Sequence, residues 1–229
     1  MTKSHLKRLA SPRTWPIAKK TLTFIARPFP GPHKVSHQVP ITVFLRDMVK
    51  IAKTSKEVKR ILHLKKCLID GTVAHDNKRP AGLFDIVSLP EAELFYSIGI
   101  NDKNKLYPIS ITEKESKQKI SKVMNKTSLK GGKTQLNTLD GRSILVDDAT
   151  KYSVGDSLII SLPDQKIIDS LPMKEGVTIV LDAGSHVGVV GTVKAIDGTT
   201  IVVKTKDNVF STKRRYAVVI GKDKPIITL

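Results

Sequence analysis

Three Asp-Gly pairs constrain the fold more than any other feature of the chain. They are Asp70-Gly71, Asp140-Gly141 and Asp197-Gly198, and short runs of apolar and β-branched residues flank each of them. An Asp-Gly pair favours the tight turn of a β-hairpin, because both residues tolerate the left-handed backbone that such a turn requires. The sequence therefore predicts hairpins spread along the chain and a fold rich in antiparallel strands.

Two helices with basic outer faces are predicted ahead of the first hairpin. Apolar residues recur at helical spacing between Val43 and Ala52. Thr54 and Glu57 then have the spacing of a capping box, so a second helix should begin at Ser55. Each helix places three cations on one face, where we expect contact with RNA: Arg46, Lys50 and Lys53 on the first, and Lys56, Lys59 and Arg60 on the second.

The helices, the hairpin at Asp70-Gly71, a polar loop and a closing strand over 85–89 form one small α/β unit. This order resembles the alpha-L RNA-binding motif, which is found in several ribosomal proteins and RNA-modifying enzymes. Lys78 and Arg79 of the polar loop join the predicted RNA contacts. The lone cysteine, Cys67, lies in a predicted strand and is interpreted as core packing.

Residues 1–40 have a different character. They contain eight lysines and arginines, and the first acid of the chain is Asp47. Six prolines exclude a long helix, so the segment is expected to lack a core and to stay disordered until an anion neutralises it. A stretch of 46 residues without an acid indicates contact with nucleic acid. The predicted RNA contacts here are His5, Lys7, Arg8, Arg13, Trp15, Lys19, Lys20, Arg27 and Lys34.

The segment from His5 to Lys19 resembles the N-terminal signature of the ribosomal S4e family, which are small-subunit proteins of archaeal and eukaryotic ribosomes. The resemblance continues through Phe44-Leu45-Arg46, Ile69-Asp70-Gly71 and Pro80-Ala81-Gly82 and covers essentially the whole chain. The length is similar to that of the shorter archaeal members. The resemblance implies a cytoplasmic, structural constituent of the small ribosomal subunit. Its partners would be small-subunit ribosomal RNA and neighbouring ribosomal proteins.

The middle of the chain is rich in lysine. The residues after Thr112 predict the start of a helix, with an apolar stripe over 120–124. Gly132-Lys133-Thr134 ends like a phosphate-binding P-loop, but that pattern needs glycine where this chain has Thr127. A flexible basic loop is therefore predicted, with two RNA contacts: Lys130 and Lys133.

From about residue 135 the chain predicts β structure. Hairpins around Asp140-Gly141 and Pro163-Asp164 should form a small barrel-like sheet, with room for a helix beside it. Residues 173–229 place short strands between glycines and resemble the KOW motif of an SH3-like barrel. The loop at Ser185-His186 lacks the usual lysine of that motif, and a structural role is favoured for His186. A late basic cluster supplies the last predicted RNA contacts: Lys213, Arg214 and Arg215.

The predicted fold class is α+β and β-rich, in four parts. A basic extension covers residues 1–40, and an alpha-L RNA-binding domain covers 41–99. A central β module covers 100–172, and an SH3-like KOW barrel covers 173–229.

Composition limits the partners. A net charge of +18 over 229 residues indicates a polyanion: RNA, DNA or an anionic membrane. A membrane is disfavoured, because no apolar run approaches the roughly 18 residues of a spanning helix and no signal-peptide core is present. One cysteine and six scattered histidines predict no metal and no cofactor. An aromatic content of 5% disfavours stacked-base platforms and favours recognition of folded RNA by shape and phosphate.

Two other functions deserve comparison. Pseudouridine synthases also use alpha-L motifs and resemble one another in an Arg-Leu-Asp segment, but here the nearest match is Thr138-Leu139-Asp140, which lacks the arginine and falls in a predicted turn. We therefore predict no catalytic residue and no small-molecule substrate. A KOW-type transcription elongation factor is the second alternative. The N-terminal signature and the alpha-L unit favour the ribosomal protein.

Overall fold

Antiparallel sheets form most of the protein. The structure, a computed structural model, describes residues 5–205 and 208–222. It divides into two compact units, one made of residues 1–99 and 104–117, the other of residues 100–103 and 118–229. In the described part of the chain a few short helices accompany several sheets, which confirms the β-rich α+β class. The finer division into four domains stays a prediction.

The first unit contains short strands in three sheets. The strands are β1 (Leu6–Lys7), β2 (Phe24–Ile25), β3 (Gln38–Pro40), β4 (Leu68–Ile69), β5 (Thr72–Val73), β6 (Pro80–Gly82), β7 (Ile86–Leu89), β8 (Leu94–Ile100, which ends at the border of the unit) and β9 (Leu106–Ser110). β1 pairs with β2, β3 pairs with β6, and the largest sheet has the order β5-β4-β7-β8-β9.

The first predicted helix is shorter than its periodicity indicated. α1 (Ile41–Val43) continues into a π-helical turn, Phe44–Met48, and stops there. Lys50 then adopts a left-handed backbone with φ 63°. The predicted helix to Ala52 is therefore wrong, although Ala52 is buried as expected.

The second helix begins where the capping box predicts. α2 (Ser55–His63) has Thr54 as its N-cap, and the Thr54 hydroxyl accepts from the Glu57 N–H at 3.3 Å. The Glu57 carboxylate reaches back to the Lys53 N–H at 2.7 Å. These two hydrogen bonds satisfy donors that a helix start leaves open.

The hairpin β4–β5 is confirmed. Asp70 and Gly71 both have positive φ angles, 49° and 74°, as a tight two-residue turn requires. The predicted polar loop after the hairpin is partly wrong, because its end forms β6, which pairs with β3. The closing strand is β7.

Residues 5–40 are folded, contrary to the expectation of disorder. Trp15 is fully buried, and its Nε1 donates to the Gln38 carbonyl at 2.8 Å. The Leu106 N–H donates to the Thr14 carbonyl at 2.8 Å, so distant backbone also holds the segment. The segment is ordered because the Trp15 side chain is buried in the first unit and because backbone hydrogen bonds join the segment to distant parts of that unit.

The second unit contains two five-stranded sheets. Its strands are β10 (Gln118–Ser128), β11 (Thr134–Thr138), β12 (Ser143–Val146), β13 (Ser157–Ser161), β14 (Ile167–Leu171), β15 (Thr178–Leu181), β16 (Val190–Asp197), β17 (Thr200–Lys204), β18 (Val209–Lys213) and β19 (Ala217–Gly221). The orders are β12-β11-β10-β13-β14 and β18-β17-β16-β15-β19. The predicted hairpins at Asp140-Gly141, Pro163-Asp164 and Asp197-Gly198 are confirmed.

The predicted helix after Thr112 is wrong. Thr112 and Glu115 do exchange cap-like hydrogen bonds, but a single 3₁₀ turn, Glu115–Lys117, follows and leads into β10. β10 pairs with β11 on one side and β13 on the other, so long-range pairing overrides the local helix signal. Further single 3₁₀ turns are Arg8–Ala10, Val35–His37, Pro90–Ala92, Ala149–Lys151 and Arg214–Tyr216.

Strand β13 contributes to two cores. Leu158 and Ile160 pack in a cluster with Val123 and Leu136 of the first sheet. Ile159, between them, points to the opposite face and packs with residues of β15–β19. The two sheets of this unit are therefore joined by alternate residues of one strand.

Candidate nucleic-acid interface

A basic groove lies in the N-terminal part of the first unit. Its volume is about 1100 Å³, and we call it the basic groove. Four of the predicted RNA contacts line it: His5, Lys7, Arg27 and Lys34. Phe24 and Phe29 line it too, and none of the described lining residues is an acid. The groove thus combines positive charge with exposed aromatic surface.

Backbone pairing and a buried histidine hold the walls of the basic groove. Lys7 lies opposite Phe24 in the β1–β2 ladder. His33 is buried, and its Nε2 lies 3.1 Å from the Asp85 carboxylate. A Cβ added at Gly82 would lie 2.1 Å from the His33 ring, so only glycine leaves room for that ring. His33 is therefore a structural part of the groove.

The two phenylalanines of the groove are partly open to solvent. Phe24 is 54% exposed and Phe29 is 43% exposed. The Lys78 ammonium lies 5.5 Å from the centre of the Phe29 ring, within cation–π range, and the His5 ring lies 5.8 Å from that of Phe24. Lys78, which is another predicted RNA contact, therefore lies beside the Phe29 ring.

Two predicted RNA contacts of the N-terminal segment are buried. The Arg8 guanidinium donates from Nε to the Ala18 carbonyl at 2.5 Å and lies 3.5 Å from the Asp47 carboxylate. Trp15 is enclosed as described above. Both side chains are buried, which argues against RNA contact by either of them. Lys19, which is half-buried, donates to the Ser11 carbonyl at 3.0 Å, whereas Arg13 and Lys20 are exposed.

The cations predicted to share one face of the first helix do not do so. Arg46 lies in the π-helical turn, 2.7 Å from Asp47, and donates to the Ser55 hydroxyl at 3.1 Å. Lys50 and Lys53 follow the end of the helix, and both are exposed. The single-face prediction is therefore wrong, because the helix ends before the second cation.

The second helix retains its basic face. Lys56, Lys59 and Arg60 are all exposed on α2, as the capping box and the apolar spacing predict. Arg79, in contrast, is half-buried, donating to the Val73 carbonyl at 2.6 Å and contacting the Thr72 hydroxyl. Its guanidinium therefore fastens the β4–β5 hairpin.

The glycines between β10 and β11 form a hairpin turn. Gly131 and Gly132 have φ angles of 84° and 76°, and the Leu129 N–H donates to the Lys133 carbonyl at 2.8 Å. Lys130 and Lys133 are exposed at this tip. The turn presents two cations to solvent.

The late basic cluster is only partly exposed. Arg214 donates from Nη2 to the Val154 carbonyl at 3.3 Å, and the Arg215 guanidinium lies 5.0 Å from the Tyr216 ring centre. Lys213 is exposed. Lys122, which the sequence did not single out, donates to the Arg215 carbonyl at 2.6 Å, and burial lowers the pKa of its ammonium to about 8. It lies in a lysine-rich stretch that gives no sign of which lysine is buried.

Asp140 is more than a turn residue. Its carboxylate is buried, with the Lys119 ammonium and the Arg142 Nε each 3.0 Å away. The Ser121 hydroxyl donates to it at 2.7 Å and that of Thr138 at 2.5 Å. Burial raises the pKa of Asp140, but the Lys119 charge and these hydrogen bonds outweigh it and hold the pKa below the ordinary value of 3.8. The carboxylate anchors the sheet.

Other side chains considered in the sequence have structural surroundings. Burial raises the pKa of the Cys67 thiol to about 12, consistent with the predicted packing role. The His186 ring stacks on Phe210 with 3.9 Å between ring centres. Within the described ranges, no three His, Cys, Asp or Glu side chains converge as metal ligands. No described helix is long and apolar enough to cross a membrane.

Together these features define a class: a strongly basic, β-rich protein with exposed clusters of cations on both compact units. Comparison with known proteins narrows it. Family models match residues 2–36, as the RS4NT (NUC023) domain, and residues 92–167, as ribosomal family S4e.

Similar proteins span the whole chain. The small ribosomal subunit protein eS4 of Methanocella arvoryzae is 38% identical over 99% of this chain and 98% of its own length. That of Methanosphaera stadtmanae is 36% identical over 100% of this chain and 96% of its own. The crystal structure of the 30S ribosomal protein S4e from Thermoplasma acidophilum matches with a TM-score of 0.70 and 30% identity, covering 81% of this chain and 96% of that one. The chain belongs to the ribosomal S4e family.

Proposed function

We propose that the chain is a structural constituent of the small ribosomal subunit that binds ribosomal RNA through its exposed cations. Its relatives carry the name small ribosomal subunit protein eS4. The observation that carries the RNA-binding mode is the basic groove, which collects three cations, His5 and no acid among its described lining residues. Phosphate is the ligand that such a surface attracts most strongly.

The proposed RNA contacts are those predicted side chains that are accessible or lie at the basic groove. In the first unit they are His5, Lys7, Arg13, Lys20, Arg27, Lys34, Lys50, Lys53, Lys56, Lys59, Arg60 and Lys78; in the second they are Lys130, Lys133, Lys213 and Arg215. The other predicted side chains make intramolecular contacts, described above, and are not proposed as RNA contacts: Arg8, Trp15, Lys19, Arg46, Arg79 and Arg214.

The finer motif assignments are part of the proposal. Residues 41–99 are an alpha-L domain, supported by α2 with its basic face and by the sheet β5-β4-β7-β8-β9. Residues 173–229 are a KOW-type barrel, supported by the order β18-β17-β16-β15-β19, in which the first and last described strands of the module pair. Neighbouring ribosomal proteins are further proposed partners of the chain. Its proposed location is the cytoplasmic ribosome.

The chain acts by binding and not by catalysis. The nearest sequence match to a catalytic aspartate is Asp140, whose carboxylate is buried between Lys119 and Arg142. A nucleophile needs an open approach to its substrate, whereas this carboxylate is committed to two cations.

The salt dependence of RNA binding tests this proposal. We expect the affinity for a small-subunit RNA fragment to fall steeply with salt, since each neutralised phosphate contributes about 0.7–0.9 to the slope of log K against log salt. The measurement is a titration at several salt concentrations. A slope near zero would contradict binding through phosphate.

A further inference from the structure

We propose that the basic groove binds single-stranded RNA, with bases stacked on Phe24 and Phe29. This inference rests on the proposed function and names the form of RNA that one of its sites receives. It departs from the expectation drawn from composition, because few aromatic residues in the whole chain can still be concentrated in one place. The groove contains two of the six phenylalanines.

Exposure of the two rings is the first observation. Phe24 and Phe29 leave about half of their surface in water, although Ile25, next to Phe24, is buried. Burying a phenylalanine ring is favourable, so two half-open rings in one groove leave apolar surface for a partner to cover. An isolated exposed ring would carry no such weight, but these two share a groove with three cations and His5.

The charge around the rings identifies the partner. His5, Lys7, Arg27 and Lys34 surround the aromatic surface, and the described lining residues include no acid. An apolar peptide would gain nothing from this charge. A nucleic-acid strand offers flat bases for the rings and phosphates for the cations, which is the combination that single-strand binding sites use.

The single strand is favoured over a duplex by accessibility of the bases. In an A-form helix the bases are stacked on one another, and their faces cannot reach a protein ring. Only unpaired nucleotides present a face to Phe24 or Phe29. The volume of about 1100 Å³ exceeds the range of roughly 300–1,000 Å³ typical of small-molecule sites, which suits a strand better than a single small ligand.

The test uses the full chain and two RNA probes. One is an unstructured strand about eight nucleotides long that carries the fluorescent base 2-aminopurine, a length within the range of single-strand sites. The other is a fully paired duplex. The variants are Phe24→Leu and Phe29→Leu, which keep an apolar side chain but remove the ring. The matched control is Leu22→Ala, an exposed apolar residue of the same segment outside the groove.

We expect each phenylalanine variant to weaken single-strand binding by at least about fivefold and to reduce the quenching of 2-aminopurine. The salt slope should not change, because no cation is lost. Duplex affinity and the control variant should also be unaffected.

Two results overturn the inference: single-strand affinity that survives both substitutions, or an equal loss on strand and duplex. If the affinity survives both substitutions, a protein segment becomes the alternative occupant of the groove. If steep salt dependence persists in either case, the proposed rRNA-binding function stands without the stacking site. If the unmodified chain binds both probes without salt dependence, the proposed function fails as well.

Discussion

The carboxylate of Asp140 keeps two cations together below the protein surface, and this burial determines what its removal costs. Asp140→Ala would remove the carboxylate that lies 3.0 Å from the buried Lys119 ammonium. Breaking a buried ion pair on one side costs about 3–5 kcal/mol, so we expect a loss of that order in the free energy of unfolding. Urea titration measures it.

Asp197→Ala is the matched control for Asp140→Ala. Both residues precede glycine in hairpin turns, but Asp197 is exposed. Its substitution should change the free energy of unfolding by no more than about 0.5 kcal/mol. Equal effects of the two substitutions would show that the buried cluster contributes no stability.

The same cluster predicts sensitivity to acid. The pKa of Asp140 is lower in the folded protein than its ordinary value of 3.8, so the unfolded chain binds the proton more readily. The stability contributed by this carboxylate is therefore present above that ordinary value and is lost as pH falls through the lower folded pKa.

Lys122 supplies a prediction at alkaline pH. Burial lowers the pKa of its ammonium from 10.5 to about 8. Because the unfolded chain then holds the proton more tightly, this group makes the folded state more stable as pH rises from about 8 to 10.5. We expect NMR of the Lys122 side chain to show a titration midpoint near 8. A midpoint at 10.5 would contradict its burial.

At the scale of elements, α2 offers the clearest separation of charge from fold. The triple substitution of Lys56, Lys59 and Arg60 by glutamine should leave the melting temperature nearly unchanged, since all three side chains are exposed. It should lower the salt slope of RNA binding by about 2–3, at just under one for each lost phosphate contact.

Arg46→Gln is the contrasting variant. Arg46 contacts Asp47 and Ser55, so its loss should lower the melting temperature. Asp47 also lies against Arg8, and its substitution should be destabilising too. An unchanged salt slope in the α2 triple variant, with the fold intact, would move RNA contact away from this helix.

Local signals predicted the elements that local interactions decide. The Asp70-Gly71 hairpin and the capping box of Thr54 with Glu57 are fixed by residues within a few positions of each other. The helix expected after Thr112 failed although its cap hydrogen bonds form, because β10 pairs with the neighbouring strand β11 on one edge and with the more distant β13 on the other. The periodicity of the segment itself cannot predict this strand pairing.

The site was predictable only to the level of charge. The sequence identifies the cations, but not which of them an acid elsewhere will occupy. Arg8 meets Asp47 across 39 positions, and Lys119 meets Asp140 across 21, so neither pairing is visible in a local pattern. The pairing of β1 with β2 likewise brings Lys7 beside Phe24, which neighbour patterns do not reveal.

At the scale of the whole molecule, the burial of several acids leaves a surface on which cations predominate. Several aspartates are buried and bonded within the protein: Asp70, Asp85, Asp140, Asp156 and Asp182. A buried, paired acid contributes little to the field outside, whereas the exposed lysines and arginines contribute fully. The exposed surface that a polyanion meets is therefore richer in cations than in acids, in keeping with the formal charge of +18.

The central claim is that this chain is a constituent of the small ribosomal subunit. The most direct measurement is sedimentation of the tagged full chain with ribosomal subunits on a sucrose gradient, before and after a high-salt wash. We predict that the chain migrates with the small subunit and is absent from the large subunit before the wash, and that the wash reduces the bound fraction, because phosphate contacts weaken as salt rises. A chain that stays at the top of the gradient, or distributes equally between the two subunits, would contradict the account.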